Sequence, residues 1–357
     1  GIRDSSPTWL FRRGQYNKPG HRVGPGVPSV LTDGKTPLAI KPPWPGAHST
    51  GRRLAMARWL VDPDHPLTAR VAVNRVWQQF FGTGLVKTSE DLGTQGEFPV
   101  YPELLDLLAV SFIESGWDVK ALARQIVMSR TYRQSSVSTP DQFAADPENR
   151  LLARGSRFRM DAEMLRDTAL QASGLLIERI GGPSVKPYLP AKVWEGIHNN
   201  ANYPQDHGAN LYRRSLYTYW RRMGPPPNMV AFDATDRSST CVRRQRTNTP
   251  LAALVLMTDP QFLEAARHLG ALSIKHGGET DKQRIDYLGR ILRGQPFDDA
   301  SRGILLTALQ KFRANLQADP ASAKSLLAVG ESPASLPVST SLAPVSYTHL
   351  TLPTSDL

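Results

Sequence analysis

From Arg52 onward, apolar residues recur three and four positions apart, and glycine or proline closes each run. Such a chain buries its apolar surface as a set of short helices rather than as a sheet. Ser49 or Thr50 can cap RLAMARWLV, which ends at Asp62-Pro63. Thr68 can cap ARVAVNRVWQQFF, whose Val71, Val73, Val76, Trp77 and Phe80 form one broad face before Gly82. Pro102 opens a third helix carrying Leu104, Leu105, Leu107, Leu108 and Phe112, and Gly116 closes it. Asp118 caps a fourth, with Leu122, Ile126 and Val127 inward, so that the two form a helical hairpin. Further helices are predicted over residues 160–173, after Thr249-Pro250 and Asp259-Pro260, and over 282–293 and 301–317. Only SLYTY, 215–219, reads as a strand. The first fifty residues are too rich in proline and glycine for long helices and predict an extended arm with turns. The expected fold is mainly α: a single large helical domain over 51–330, an irregular Pro/Gly-rich arm over 1–50 and one or two short strands. Residues 331–357 read as linker and tail.

The 357 residues suffice for a sizeable core. No run approaches the roughly 18 apolar residues that a membrane-spanning helix needs. The one cysteine, Cys241, cannot form an internal disulfide. The net charge is +11, and 32 of the 43 cations are arginine. A positive potential favours polyanions such as nucleic acid, anionic lipid or acidic polysaccharide. A GC-rich genome enriches arginine codons as well, so both readings of the bias stand.

The standard signatures of chemistry are missing: no H-E-x-x-H, paired C-x-x-C, phosphate-binding glycine loop or G-x-S-x-G occurs. His21, His48, His65, His198, His207, His268 and His276 are scattered rather than spaced as ligands, and no metal is expected. His198 and His207 come nearest to a site, in a loop with Asn199, Asn200, Asn202 and Asp206 that can hold a metal or a sugar hydroxyl or can simply be solvated. Glu97, in GTQGEFP, is a possible acid in a loop.

The most pronounced constellation lies at 212–246. Arg213, Arg214, Arg221, Arg222, Arg237, Arg243, Arg244 and Arg246 face only Asp233 and Asp236, with Tyr212, Tyr217, Tyr219 and Trp220 interleaved. Guanidinium groups bind sulfate, phosphate or carboxylate with paired hydrogen bonds, and aromatic faces stack on sugars, bases or arginine itself. Asp161, Glu163 and Asp167 could instead neutralise the cluster. Glu163 and Asp167 lie one helical turn apart, where two carboxylates can also do acid and base work.

Four blocks carry a resemblance: HPLTARVAVNRVWQQFFGTGLVKTSEDLGTQGEFPVYPELLDLLAVSFIESGWDVKALARQIVMSRTYRQS (65–135), DPENRLLARGSRFRMDAEMLRDTALQASGLL (146–176), YRRSLYTYWRRMGPPPNMVAFDATDRSSTCVRRQRTNTPLAALVLMTDPQFLEAARHL (212–269) and FRRGQYNKPGHRVGPGVPSVL (11–31). In this order they resemble the planctomycete domain of unknown function 1553. The resemblance implies an exported or periplasmic setting beside a cytochrome c segment of the same protein, and it transfers no catalytic residues. No C-x-x-C-H occurs, so the resemblance places haem c on an upstream segment and no cofactor in these residues. Gly1 reads as internal to a longer product, and PVSYTHLTLPTSDL (344–357) resembles translated sequencing adaptor. Three functions are expected from these features. The first is an interaction module for anionic polysaccharide, using the arginine and aromatic cluster with His198 and His207. The second is a hydrolase or redox enzyme using Glu163, Glu97 or Asp167. The third is a nucleic-acid-binding protein, which the exported setting disfavours.

Overall fold

The computed structural model describes residues 7–34, 38–190, 203–222 and 224–333. Helices dominate, and among the described residues strands are confined to one two-stranded ribbon. The chain divides into two compact units at Ser156/Arg157, a boundary inside the region that the sequence treats as continuous.

In the first unit, β1 (Thr8–Phe11) and β2 (Pro19–Val23) form an antiparallel ribbon within the expected arm. The helices are α1 (Arg52–Leu60), α2 (Thr68–Phe81), α3 (Pro102–Glu114), α4 (Val119–Met128) and the short α5 (Arg130–Arg133) and α6 (Pro140–Ala145). Two starts differ from expectation. Gly51, not Ser49 or Thr50, precedes α1, because the chain there takes φ +76° and a Cβ would lie 1.9 Å from the Lys41 carbonyl oxygen. Thr68 is the first residue of α2 rather than its cap. His65 fills the capping role, its Nδ1 lying 3.2 Å and 3.1 Å from the N–H groups of Leu67 and Thr68. Asp118 does cap α4, accepting from the N–H groups of Lys120 and Ala121.

The core of this unit joins Val73, Trp77 and Phe81 of α2 to Leu105, Leu108 and Phe112 of α3 and Leu122 and Ile126 of α4. Trp77 stacks on Phe81 with centroids 4.1 Å apart, and Phe112 meets Trp117 edge-on at 5.2 Å. Buried Asn74 clips the following loop: its side chain both donates to and accepts from the Val86 backbone at 3.0 Å and 2.9 Å.

The second unit contains α7 (Ala162–Ala172), α8 (Pro227–Val230), α9 (Pro250–Thr258), α10 (Pro260–His276), α11 (Asp281–Arg293), α12 (Asp299–Ala318) and α13 (Pro320–Leu327). Thr249 and Asp259 cap α9 and α10 as their proline-linked positions predict. One core gathers Ala162, Met229, Phe232, Ala252, Leu256 and Phe262, and another gathers Leu269, Ile285, Leu288, Phe297, Leu305 and Leu309. Leu170, Leu211 and Tyr212 form a third.

SLYTY is not a strand. Ser215–Tyr217 is a 3-10 turn, and Thr218 alone makes an isolated bridge, to Val185. The cause is local: the Asp167 carboxylate accepts from both the N–H and the hydroxyl of Ser215 at 2.7 Å, which fixes a turn where β-branched and aromatic content favours extension.

Phe112 is expected to contribute about 3–5 kcal/mol, the usual cost of truncating a buried aromatic. Phe112→Ala should lower the urea midpoint of the first unit accordingly, whereas Asp118→Ala, which removes an exposed cap, should cost only about 1 kcal/mol. Equal effects of the two substitutions would contradict this arrangement of the core.

Candidate functional site

Arg166 of α7 lies on the face that the helix turns inward, and its side chain is 2% exposed. Its guanidinium is satisfied from every side: Nε donates to Gln261 Oε1 at 2.5 Å, Nη1 to the Arg213 carbonyl at 2.9 Å and Ser215 Oγ at 3.0 Å, and Nη2 to the Leu211 carbonyl at 2.8 Å. Burial pulls its pKa down to about 10, with the charges of Asp167 and Asp259 opposing, so it stays cationic at neutral pH. Gln261 Nε2 adds a bond to the Leu211 carbonyl at 3.0 Å. Residues 211–215 are therefore held on α7 and α10.

That anchor determines what Arg213 does. Its side chain is buried, donating to the carbonyls of Pro183 (3.0 Å), Arg179 (2.9 Å) and Gly181 (2.5 Å), with its guanidinium 3.8 Å from the Tyr217 ring centroid. Tyr217 Oη accepts from the Gly181 N–H at 2.7 Å. Arg213 and Tyr217 thus hold the turn at 179–183, where Gly181 and Gly182 take φ +79° and +84°.

The remaining arginines sort by exposure. Arg244 clasps Glu163 in two bonds of 2.5 Å and 3.0 Å, and Arg246 lies 3.5 Å from Asp161. Burial is the largest influence on Glu163 and opposes its ionisation, but the hydrogen bond and charge of Arg244, a backbone hydrogen bond and the charge of Arg237 together hold the carboxyl below its usual range. A carboxylate held in that way is poorly matched to proton transfer near neutral pH. Asp233 faces Arg159 at 2.5 Å and accepts from the N–H and hydroxyl of Thr247. Asp236 binds the N–H and hydroxyl of Ser238. Arg214, Arg222, Arg237 and Arg243 are exposed and Arg221 is half-buried. Arg237, at φ +60°, lies over the Trp220 ring at 4.3 Å, while Trp220 Nε1 donates to the Asp236 carbonyl at 3.4 Å. Arg222 acts on the same Asp236 through its charge, and Arg214 lies 3.7 Å from Glu178.

The other predicted positions are not drawn into one site. Asp167 is engaged with Ser215, and Glu97 lies in the first unit, in an exposed loop 3.9 Å from Lys87 Nζ. His198 falls outside the described residues. His207 Nδ1 lies 2.6 Å from Glu331 Oε1, and the Gly208 N–H donates to Oε2 of the same carboxylate. No group of three or more metal-ligating side chains occurs among the described residues.

Sequence reasoning missed Glu264, which is fully buried on α10. It accepts from Tyr212 Oη at 2.8 Å and from the Ser332 N–H at 2.6 Å, with Arg267 at 3.7 Å. The signal was present in QFLEAAR, where Gln261, Glu264 and Arg267 recur every three residues along an otherwise apolar helix.

The family described as PSD1, protein of unknown function (DUF1553), matches residues 52–309. The chain belongs to that family. No curated protein and no solved structure matches it. The DUF1553 match includes α7, α10 and the whole arginine-rich segment, whereas the ribbon at residues 8–23 precedes it.

Arg166→Leu should destabilise the second unit by about 3–5 kcal/mol, because the acceptors around the cation lose their donor together. A loss below 1 kcal/mol in chemical denaturation would reject this role. For Glu163, the folded pKa lies below the ordinary 4.5. Its stabilising contribution is therefore present above about pH 4.5 and fades as pH falls through the lower folded value. At pH 7, Glu163→Gln should cost roughly 1.5–3 kcal/mol. At pH 3 the difference from the parent protein should narrow, and a gap independent of pH would remove the ion pair from the account.

Proposed function

We propose that the chain is a non-catalytic interaction module that binds anionic polysaccharide through the outward arginines of residues 214–243 and Trp220. The observation that carries this reading is the Arg237 guanidinium over the Trp220 ring, 4.3 Å from its centroid. A guanidinium held by a ring in a cation–π contact keeps N–H donors for a sulfate or carboxylate. Arg222 and Arg243 add exposed positive charge from the same segment of chain. Arg213 and Arg244 support this surface from within rather than contacting ligand, because their donors are spent on carbonyls and on Glu163.

The reading places the module in an exported, cytochrome-c-associated protein of planctomycete type, with any haem c carried outside the residues described here. This setting rests on the resemblance of the four sequence blocks. Among the described residues no helix is long and apolar enough to cross a membrane.

The test is a titration of the protein with matched sulfated and desulfated polysaccharide, with duplex DNA as a control for charge. Saturable preference for the sulfated polymer is expected. Joint replacement of Arg222, Arg237 and Arg243 by alanine should weaken it about tenfold or more, equivalent to roughly 1.4 kcal/mol. Undiminished binding by a folded triple variant, or equal binding of DNA with the steep salt response of phosphate contacts, would overturn the proposal.

A further inference from the structure

The ribbon at residues 8–23 has an unusual surface. Thr8 pairs with Val23, Trp9 with Arg22 and Phe11 with Pro19, with a bulge between Trp9 and Phe11. Gly20 closes the pair, since a Cβ there would lie 2.9 Å from the Leu10 carbonyl oxygen. Between the strands the chain turns through Arg13 and Gly14, both at positive φ. Trp9, Leu10 and Phe11 are 42%, 55% and 43% exposed, and Tyr16 beyond the turn is 85% exposed. Successive strand residues point to opposite faces. Both faces of β1 therefore keep about half of their apolar side-chain surface in solvent, although a two-stranded ribbon is marginal in water without an apolar partner.

The charge of the ribbon is as one-sided as its surface is apolar. Arg12, Arg13, Lys18 and Arg22 are all exposed, and no acidic residue occurs between positions 5 and 32. The occupant must therefore be anionic, and it must accept apolar side chains on both faces of the ribbon at once. A sugar polymer stacks on one aromatic face and leaves the opposite one wet. The boundary between headgroups and acyl chains of a bilayer surrounds an inserted ribbon, takes tryptophan and tyrosine at the level of the headgroups, and holds arginine and lysine on anionic lipid.

We propose that this ribbon is a peripheral docking element for anionic lipid surfaces. Trp9, Leu10, Phe11 and Tyr16 enter the interfacial zone, and Arg12, Arg13, Lys18 and Arg22 contact the headgroups. The proposal is independent of polysaccharide binding, because it uses none of the residues from 214 to 244.

The test is co-sedimentation of the full chain with vesicles of phosphatidylcholine, with and without phosphatidylglycerol. Partitioning onto the anionic vesicles is expected to exceed that onto neutral ones by about tenfold. Each of two triple variants, Trp9→Ser with Leu10→Ser and Phe11→Ser, and Arg12→Ser with Arg13→Ser and Lys18→Ser, should lose most of it. Because strand changes can unravel the ribbon, Tyr16→Ser supplies a milder second probe and should weaken binding measurably with unchanged circular dichroism. The variant lacking Arg222, Arg237 and Arg243 should bind vesicles as the parent does. Indifference to lipid charge, retention of binding by the apolar triple variant, an unaltered Tyr16→Ser, loss of binding by the variant in the 222–243 segment, or displacement of vesicles by a soluble sulfated glycan would each overturn the assignment.

Discussion

The second unit depends on one buried cation. Arg166 reaches the side chains of Gln261 and Ser215 and the carbonyls of Leu211 and Arg213, so a single guanidinium ties α7, α10 and residues 211–215 together. A charge in an apolar interior is tolerated only when its hydrogen-bonding capacity is met, and here the acceptors are mostly neutral groups. The arrangement fixes geometry more than it adds stability. A leucine in its place would leave the carbonyls of a non-helical segment without that donor.

From that anchor the arginines of the chain fall into two kinds. Arg159, Arg166, Arg213, Arg244 and Arg246 face inward or into ion pairs, joining loops that carry little apolar surface of their own. Arg214, Arg222, Arg237 and Arg243 are exposed, with Arg214 beside Glu178 and Arg237 over Trp220. The positive bias of the sequence thus serves two ends, and the second group places its donors where an anionic partner can reach them. The planar five-donor fork suits both, since it can bridge several carbonyls as readily as a sulfate.

Helices were legible in the sequence because their determinants are local. Asp118, Thr249 and Asp259 cap where their spacing to proline or to the first apolar residue says they should. The periodicity marks most of the apolar faces of α2 to α4, although Leu107 of the predicted α3 face is exposed and Phe81, not Val71, completes the buried face of α2. Local signals failed where a distant group decided the outcome. SLYTY has the composition of a strand, yet Asp167, 48 positions away from Ser215, makes it a turn. The role of each arginine was illegible for the same reason: Arg213 and Arg214 are neighbours, one buried against carbonyls and the other exposed beside Glu178. Only the pairing of Glu163 and Asp161 with nearby cations was foreseeable, as an alternative, from the acids at and just before the start of α7.

The contact between Gly330 and Glu264 has a consequence for how this chain tolerates change. A Cβ at position 330 would lie 2.2 Å from the Glu264 carboxyl carbon, and the φ of +91° also disfavours any side chain there. The segment crossing the buried carboxylate is thus fitted to it atom for atom. Shortening Glu264 alone would therefore not admit a side chain at 330, and a buried helix position and a loop 66 residues further along the chain are fitted to each other.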